Sequence, residues 1–198
     1  GIAASISKNT VVGKESYPMS VGIKYYKRVY PNYPSLGAQT GLVKKEEKVK
    51  DFNGINISVS DEYPLAERIY WEAYYNLLFK SYIDQFLRTN QGLIGSTLRK
   101  DTINYFDTSL TFYLDGKTRV PVDAGFTYYK SNGSIYDQNE NYYTEDFYGY
   151  FSLYIQPGFA FKIENTDISL FYNFLFRGYT GRKVQDAQSY HKDITGYV

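Results

Sequence analysis

The chain has 198 residues, enough for a single domain with a real core or for a small barrel. It has no Cys and one His, which excludes a disulfide framework, thiolate metal sites and HExxH or His-cluster zinc chemistry; a net charge of +1 gives no electrostatic case for nucleic acid. Aromatic residues make up 19% of the chain and 24 residues are Tyr, whose apolar ring and wet hydroxyl suit a boundary between water and hydrocarbon.

No apolar run approaches the roughly 18 residues of a membrane helix, and mean hydropathy is −0.46. That excludes a helical span but not a barrel, whose alternation hides its hydrophobicity. Gly1 opens the sequence without a leader-like segment, so a cleaved signal peptide is expected.

In chain order, Gly1–Val12 shows a modest period-two signal through Ile2, Ala4 and Ile6, and Met19–Tyr30 alternates more clearly. PNYP (31–34) reads as a turn, Leu36–Val43 as a weak strand, and KKEEKVKD (44–51) as a solvated loop tip. Ile55, Ile57 and Val59 mark another strand, and SDEYPLAE (60–67) a turn.

Arg68–Arg88 fits two periods. As a strand it puts Ile69, Trp71, Ala73, Tyr75, Leu77 and Phe79 on one face; as a helix it has Pro64 before its first turn and a polar stripe at every fourth residue. The strand is favoured, because the helix would be apolar around most of its circumference. The expected register pairs Ile69 with Leu114 and Trp71 with Phe112, with the connection near Asn90–Gly92.

Ile103–Leu114 and Val120–Tyr129 flank a tight turn at Asp115–Thr118. Phe147–Phe176 carries the strongest pattern: Phe151, Leu153, Ile155, Phe159, Phe161 and Ile163 on one face, Tyr150, Ser152, Tyr154, Gln156 and Lys162 on the other. Glu164–Asp167 turns it into a hairpin in which Ile163 is expected to pair with Ile168 and Ile155 with Phe176, while Pro157–Gly158 marks a bulge. Ser189–Val198 reads as a closing strand.

Short turns (PNYP, SDEYPLAE, DGKT, ENTD) alternate with longer polar connections, the arrangement of an up-and-down antiparallel transmembrane β-barrel. The count is eight to ten strands, ten being preferred, in one domain over residues 1–198, with both termini at the short-turn end. Residues 81–92, 130–146 and 177–188 would face outward from the cell. The chain thus resembles small bacterial outer-membrane β-barrel proteins of the OmpA, OmpX, OmpW and OpcA kind, on its long aromatic strands such as YGYFSLYIQPGFAFKI (148–163) and its lack of Cys. The resemblance implies a bacterial outer-membrane location and the lipid bilayer as partner.

Nothing in the sequence argues for catalysis, a cofactor or a metal. Ser189 and His191 lack an assignable orienting carboxylate, Ser5–Lys8 matches S-x-x-K without its partner motifs, and no phosphate-binding glycine loop occurs. Inward positions of the expected barrel hold Lys24, Arg28, Glu72, Asp107, Asp123, Lys162 and Arg177. Mixed signs in a narrow lumen should pair, so an interior plugged by ion pairs and Tyr hydroxyls is expected over a pore.

The Ser81–Asp101 segment reads as a loop, and Ile83, Phe86, Leu87, Leu93, Ile94 and Leu98 form its candidate contact surface. The function expected is a non-enzymatic surface adhesin, receptor or packing element meeting host or envelope proteins through its loops. A narrow solute channel and a soluble lipocalin-like or α+β binding domain are the alternatives.

Overall fold

The computed structural model describes residues 1–12, 15–30, 50–89, 91–133, 135–137, 142–144, 148–185 and 190–197. Among them there is no helix. The strands are β1 Ile2–Val12, β2 Glu15–Arg28, β3 Phe52–Ala66, β4 Ile69–Arg88, β5 Ile94–Tyr113, β6 Thr118–Ser131, β7 Ile135–Asp137, β8 Tyr142–Thr144, β9 Tyr150–Ile163, β10 Thr166–Phe171, β11 Phe174–Gln185 and β12 Tyr190–Tyr197.

β7 and β8 form a small hairpin of their own, inserted between β6 and β9. The rest is one antiparallel up-and-down sheet in the order β1-β2-β3-β4-β5-β6-β9-β11-β12, with β10 also paired to β9. β10 and β11 are two lengths of one strand, because both lie on β9 in a single register: Phe171 faces Gly158 and, beyond a gap, Phe174 faces Ile155. The sheet therefore has nine members. Among the described residues no ladder joins β1 to β12.

Nine members among the described residues fall within the expected eight to ten. Residues 31–34, 36–43 and 44–49 lie outside the described residues, but β2 pairs directly with β3 from Met19↔Asp61 to Arg28↔Phe52, so no strand stands between them. An odd count sends the first and last strands the same way. Gly1 accordingly sits at the end where the long connections are, near Tyr25, while β12 runs away from that end to meet Leu175. The expectation of both termini at the short-turn end is corrected by this parity.

Residues 69–88 are one 20-residue strand laddered on both sides, to β3 and to β5, and the helix alternative is overturned. The two expected registers are each displaced by two residues. Ile69 faces Phe112 rather than Leu114, and Ile155 faces Phe174 rather than Phe176. In the second case the cause is the turn: Ile163 pairs with Thr166 across only Glu164 and Asn165, and Glu164 takes a left-handed φ of 52° to allow it. A shift of two keeps every side chain on its expected face.

Pro157–Gly158 is not a register-shifting bulge, since Arg119↔Ala160 and Val122↔Pro157 keep one register. Pro157 accepts from Tyr172 N at 3.0 Å but has no N–H to return. Its place is marked by the break between β10 and β11. SDEYPLAE is strand through Ala66, and the turn is Glu67–Arg68. Residues 81–88, 94–101 and 177–185, expected in loops, are strand as well.

The two faces of the sheet have opposite character. Ile6, Val21, Val59, Tyr75, Phe106, Phe126, Leu153 and Phe176 stand side by side as successive cross-strand partners from β1 to β11. In the next row on the other face stand Ser20, Ser60, Tyr74, Asp107, Gly125 and Tyr154. The apolar row is the more exposed one: Ile6 is 78% exposed and Leu153 48%, whereas Asp101 and Ser131, which point the other way, are 2% and 0% exposed. The chain exposes 13493 Å², against roughly 9,600 Å² for a compact soluble chain of this mass.

Candidate functional site

The less exposed face of the sheet divides into two halves along the strands. Towards the long connections it is filled by large side chains around Asp101. Ser131 Oγ donates to Asp101 Oδ1 at 2.6 Å, Tyr82 and Tyr129 hydroxyls donate to Oδ2 at 2.9 and 2.7 Å, and Arg99 approaches Oδ1 with Nε at 3.0 Å. The carboxylate gains a charge partner and several donors, which compensates its removal from water.

Arg99 is itself held between two rings, 4.9 Å from the centroid of Tyr82 and 4.6 Å from that of Tyr148. Its Nη2 also donates to Tyr129 at 2.9 Å. β4, β5, β6 and the lead into β9 are thereby tied together on this face. Phe52, 5% exposed, packs beside Tyr82 and Tyr26 and extends this plug to β2 and β3.

Towards the short turns this face opens into a cavity of about 510 Å³. Glu62, Glu72, Asp107 and Asp123 line it, with no basic residue. Asp107 is anchored by hydrogen bonds from the hydroxyls of Tyr105 (2.8 Å) and Tyr154. Among the described residues Glu62, Glu72 and Asp123 have neither an ion pair nor a side-chain hydrogen bond.

The seven charged residues expected inside, Lys24, Arg28, Glu72, Asp107, Asp123, Lys162 and Arg177, share this face by strand parity, and among the described residues none pairs with another. Glu72, Asp107 and Asp123 lie towards the short turns, and Lys24, Arg28 and Arg177 towards the long connections. The cations sit against rings instead: Lys24 is 5.8 Å from the centroid of Tyr26, Arg28 5.8 Å from Tyr30 and Arg177 4.7 Å from Tyr150. Arg177 Nε is buried without a hydrogen-bond partner among the described residues. Lys162 is exposed near the short-turn rim, opposite Asp167.

The proposed contact loop is a hairpin of the sheet. Ile83, Phe86 and Leu87 belong to β4, Ile94 and Leu98 to β5, and Phe86 pairs with Leu98. Leu93, 64% exposed, lies in the turn, where Gly92 has a φ of 82°. Ser189 lies outside the described residues, and so does the side chain of His191.

Asp101, Arg99, Tyr82, Tyr129 and Ser131 were not singled out from the sequence. A signal was present: the inward parity of Tyr105 and Asp107 runs back through Ile103 to Asp101 and Arg99. Among the described residues no group of His, Asp or Glu is placed to hold a metal ion. No family model matches the chain, and neither curated proteins nor solved structures show significant similarity to it.

Proposed function

We propose that the chain is an integral outer-membrane β-barrel protein, non-enzymatic, plugged in one half, and acting through the segments at its long-connection end on host or envelope proteins. The observation that carries this is the apolar row from Ile6 to Phe176, exposed on one face while carboxylates and hydroxyls are buried behind the other. A soluble lipocalin-like barrel has the opposite polarity, with its apolar residues inside. Lipid is the solvent that accepts such a face.

Lipid also forbids open edges, since each unsatisfied backbone group in hydrocarbon costs several kcal/mol. β12 covers β11 from Leu175 to Gln185, and β10, Thr166–Phe171, has no partner on that side among the described residues. β1 runs in the opposite direction to β10, and its own second edge has no partner among the described residues. Closure of β1 on β10 would be antiparallel, and is the seam this reading favours.

The experiment is folding into detergent micelles or lipid vesicles, read by heat-modifiable gel mobility and far-UV circular dichroism. A β-rich protein whose mobility changes on boiling is expected; a protein that stays soluble and monomeric without detergent contradicts the reading. The carboxylate-lined cavity favours a second reading, a narrow cation channel. Planar-bilayer recording separates the two: silence is expected of the plugged protein, and discrete openings altered by Glu72→Gln of the channel.

A further inference from the structure

The outer face carries a polar patch at one margin of its apolar belt. Lys27, Asn53, Ser81 and Lys100 are successive partners across β2, β3, β4 and β5. Thr102 and Lys130 face each other one step nearer the belt. All three lysines are exposed, and among the described residues none of their ammonium groups has an ion pair, hydrogen bond or ring contact. Asn53 uses Oδ1 to accept from Tyr25 OH at 3.3 Å, which leaves its amide N–H groups to donate.

The patch thus offers cations and neutral donors. Lys100 and Lys130 are diagonal neighbours, with Cα atoms roughly 7–8 Å apart, so their ammonium groups can converge on one anion. Tyr25, Ile55 and Phe79 lie immediately below, exposed and apolar. The opposite margin lacks this character: Lys8 and Asp61 share a row there, and the adjoining turns hold Asp115, Lys117 and Glu164.

We propose that Lys100 and Lys130 bind the phosphate of an anionic lipid headgroup, that Lys27, three strands away on the same margin, adds to the positive potential that draws such lipids, and that the acyl chains lie on the Tyr25–Ile55–Phe79 surface below. The patch recognises charge above and hydrocarbon beneath, which only an amphiphile supplies together. It also orients the barrel, because it puts the long-connection end in the leaflet richer in phosphate. The inference rests on the membrane reading above.

The test uses the full chain in detergent with phosphatidic acid or phosphatidylcholine added, read by native mass spectrometry, and flotation with vesicles of each composition. Wild type is expected to retain phosphatidic acid over phosphatidylcholine, and the variant K27Q/K100Q/K130Q to lose that preference by on the order of a hundredfold. K8Q/K117Q, at the opposite margin, should keep it. Equal retention of both lipids by wild type, or an unchanged preference in the triple variant with normal heat-modifiability, overturns the lipid site alone. Failure of wild type to float with either vesicle overturns the membrane reading, and the site with it.

Discussion

Lys80 and Asp101 are opposite partners in the β4–β5 ladder, yet Asp101 takes its cation from Arg99 in its own strand, at 3.0 Å, while Lys80 Nζ lies 5.2 Å from the Phe52 ring centroid. Arg99 wins because its planar fork reaches both carboxylate oxygens, at 3.0 and 3.2 Å, while its faces stack on tyrosines. Lys80 is left to the aromatic wall.

Removing one member of a buried charge pair strands the other, at a typical cost of about 3–5 kcal/mol. Asp101→Ala should therefore lower unfolding stability in micelles by an amount of that order, measured by urea denaturation. Glu72→Gln, an exposed carboxylate without a partner among the described residues, should change it little. Equal effects from the two would deny the Asp101 cluster its structural role.

Gly125 faces Tyr154 in the β6–β9 ladder, and a Cβ built on Gly125 would clash with the edge of the Tyr154 ring. The absence of a side chain there lets Tyr154 lie flat across β6 and reach Asp107 on β5. Gly125→Ala should destabilise by about 1–3 kcal/mol, the usual cost of overpacking. Adding Tyr154→Leu should restore much of the loss, and a double-mutant cycle checks the coupling.

Asp115 closes the β5–β6 turn by accepting from the backbone N–H of Lys117 and of Thr118, each at 2.7 Å. The Lys117 N–H, foremost, holds its carboxyl below the usual value. A folded pKa below the unfolded one stabilises the turn above the unfolded value, about 3.9, and that contribution is lost as pH falls through the folded pKa. Amide shifts of Lys117 and Thr118 should stay constant at neutral pH and move only at strongly acid pH, and Asp115→Asn should remove the transition.

Tyr82 and Tyr148 brace Arg99 on this face. Tyr82→Ala with Tyr148→Ala should loosen this cluster and produce conductance in planar bilayers, where wild type is expected to be silent. Glu62, Glu72, Asp107 and Asp123 line the cavity beyond, so the current should favour cations, and Glu72→Gln should weaken that preference. Anion preference would contradict this charge layout.

The alternation of apolar and polar residues made the strands and their faces legible, because one residue of error would exchange the faces. Strand ends were not legible where the alternation falters: Ile83, Asp84, Phe86 and Leu87 resemble a loop until β5 is laid beside them. Register depended on how tightly Glu164 could turn, a backbone property that side-chain periodicity does not carry. Alternation puts Lys24, Arg28, Glu72, Asp107, Asp123 and Arg177 on one face, but it carries neither their spacing along the strands nor the tyrosine rings beside the cations.

The apolar face carries its own reporter of contact with lipid. Trp71 is the single tryptophan; it points to the apolar side of β4, opposite Tyr63 and Leu110. With the wild-type protein in vesicles, lipids brominated on their acyl chains should quench Trp71 strongly and aqueous acrylamide weakly. Strong quenching by acrylamide with none by brominated chains would show that this face meets water, and would contradict the account.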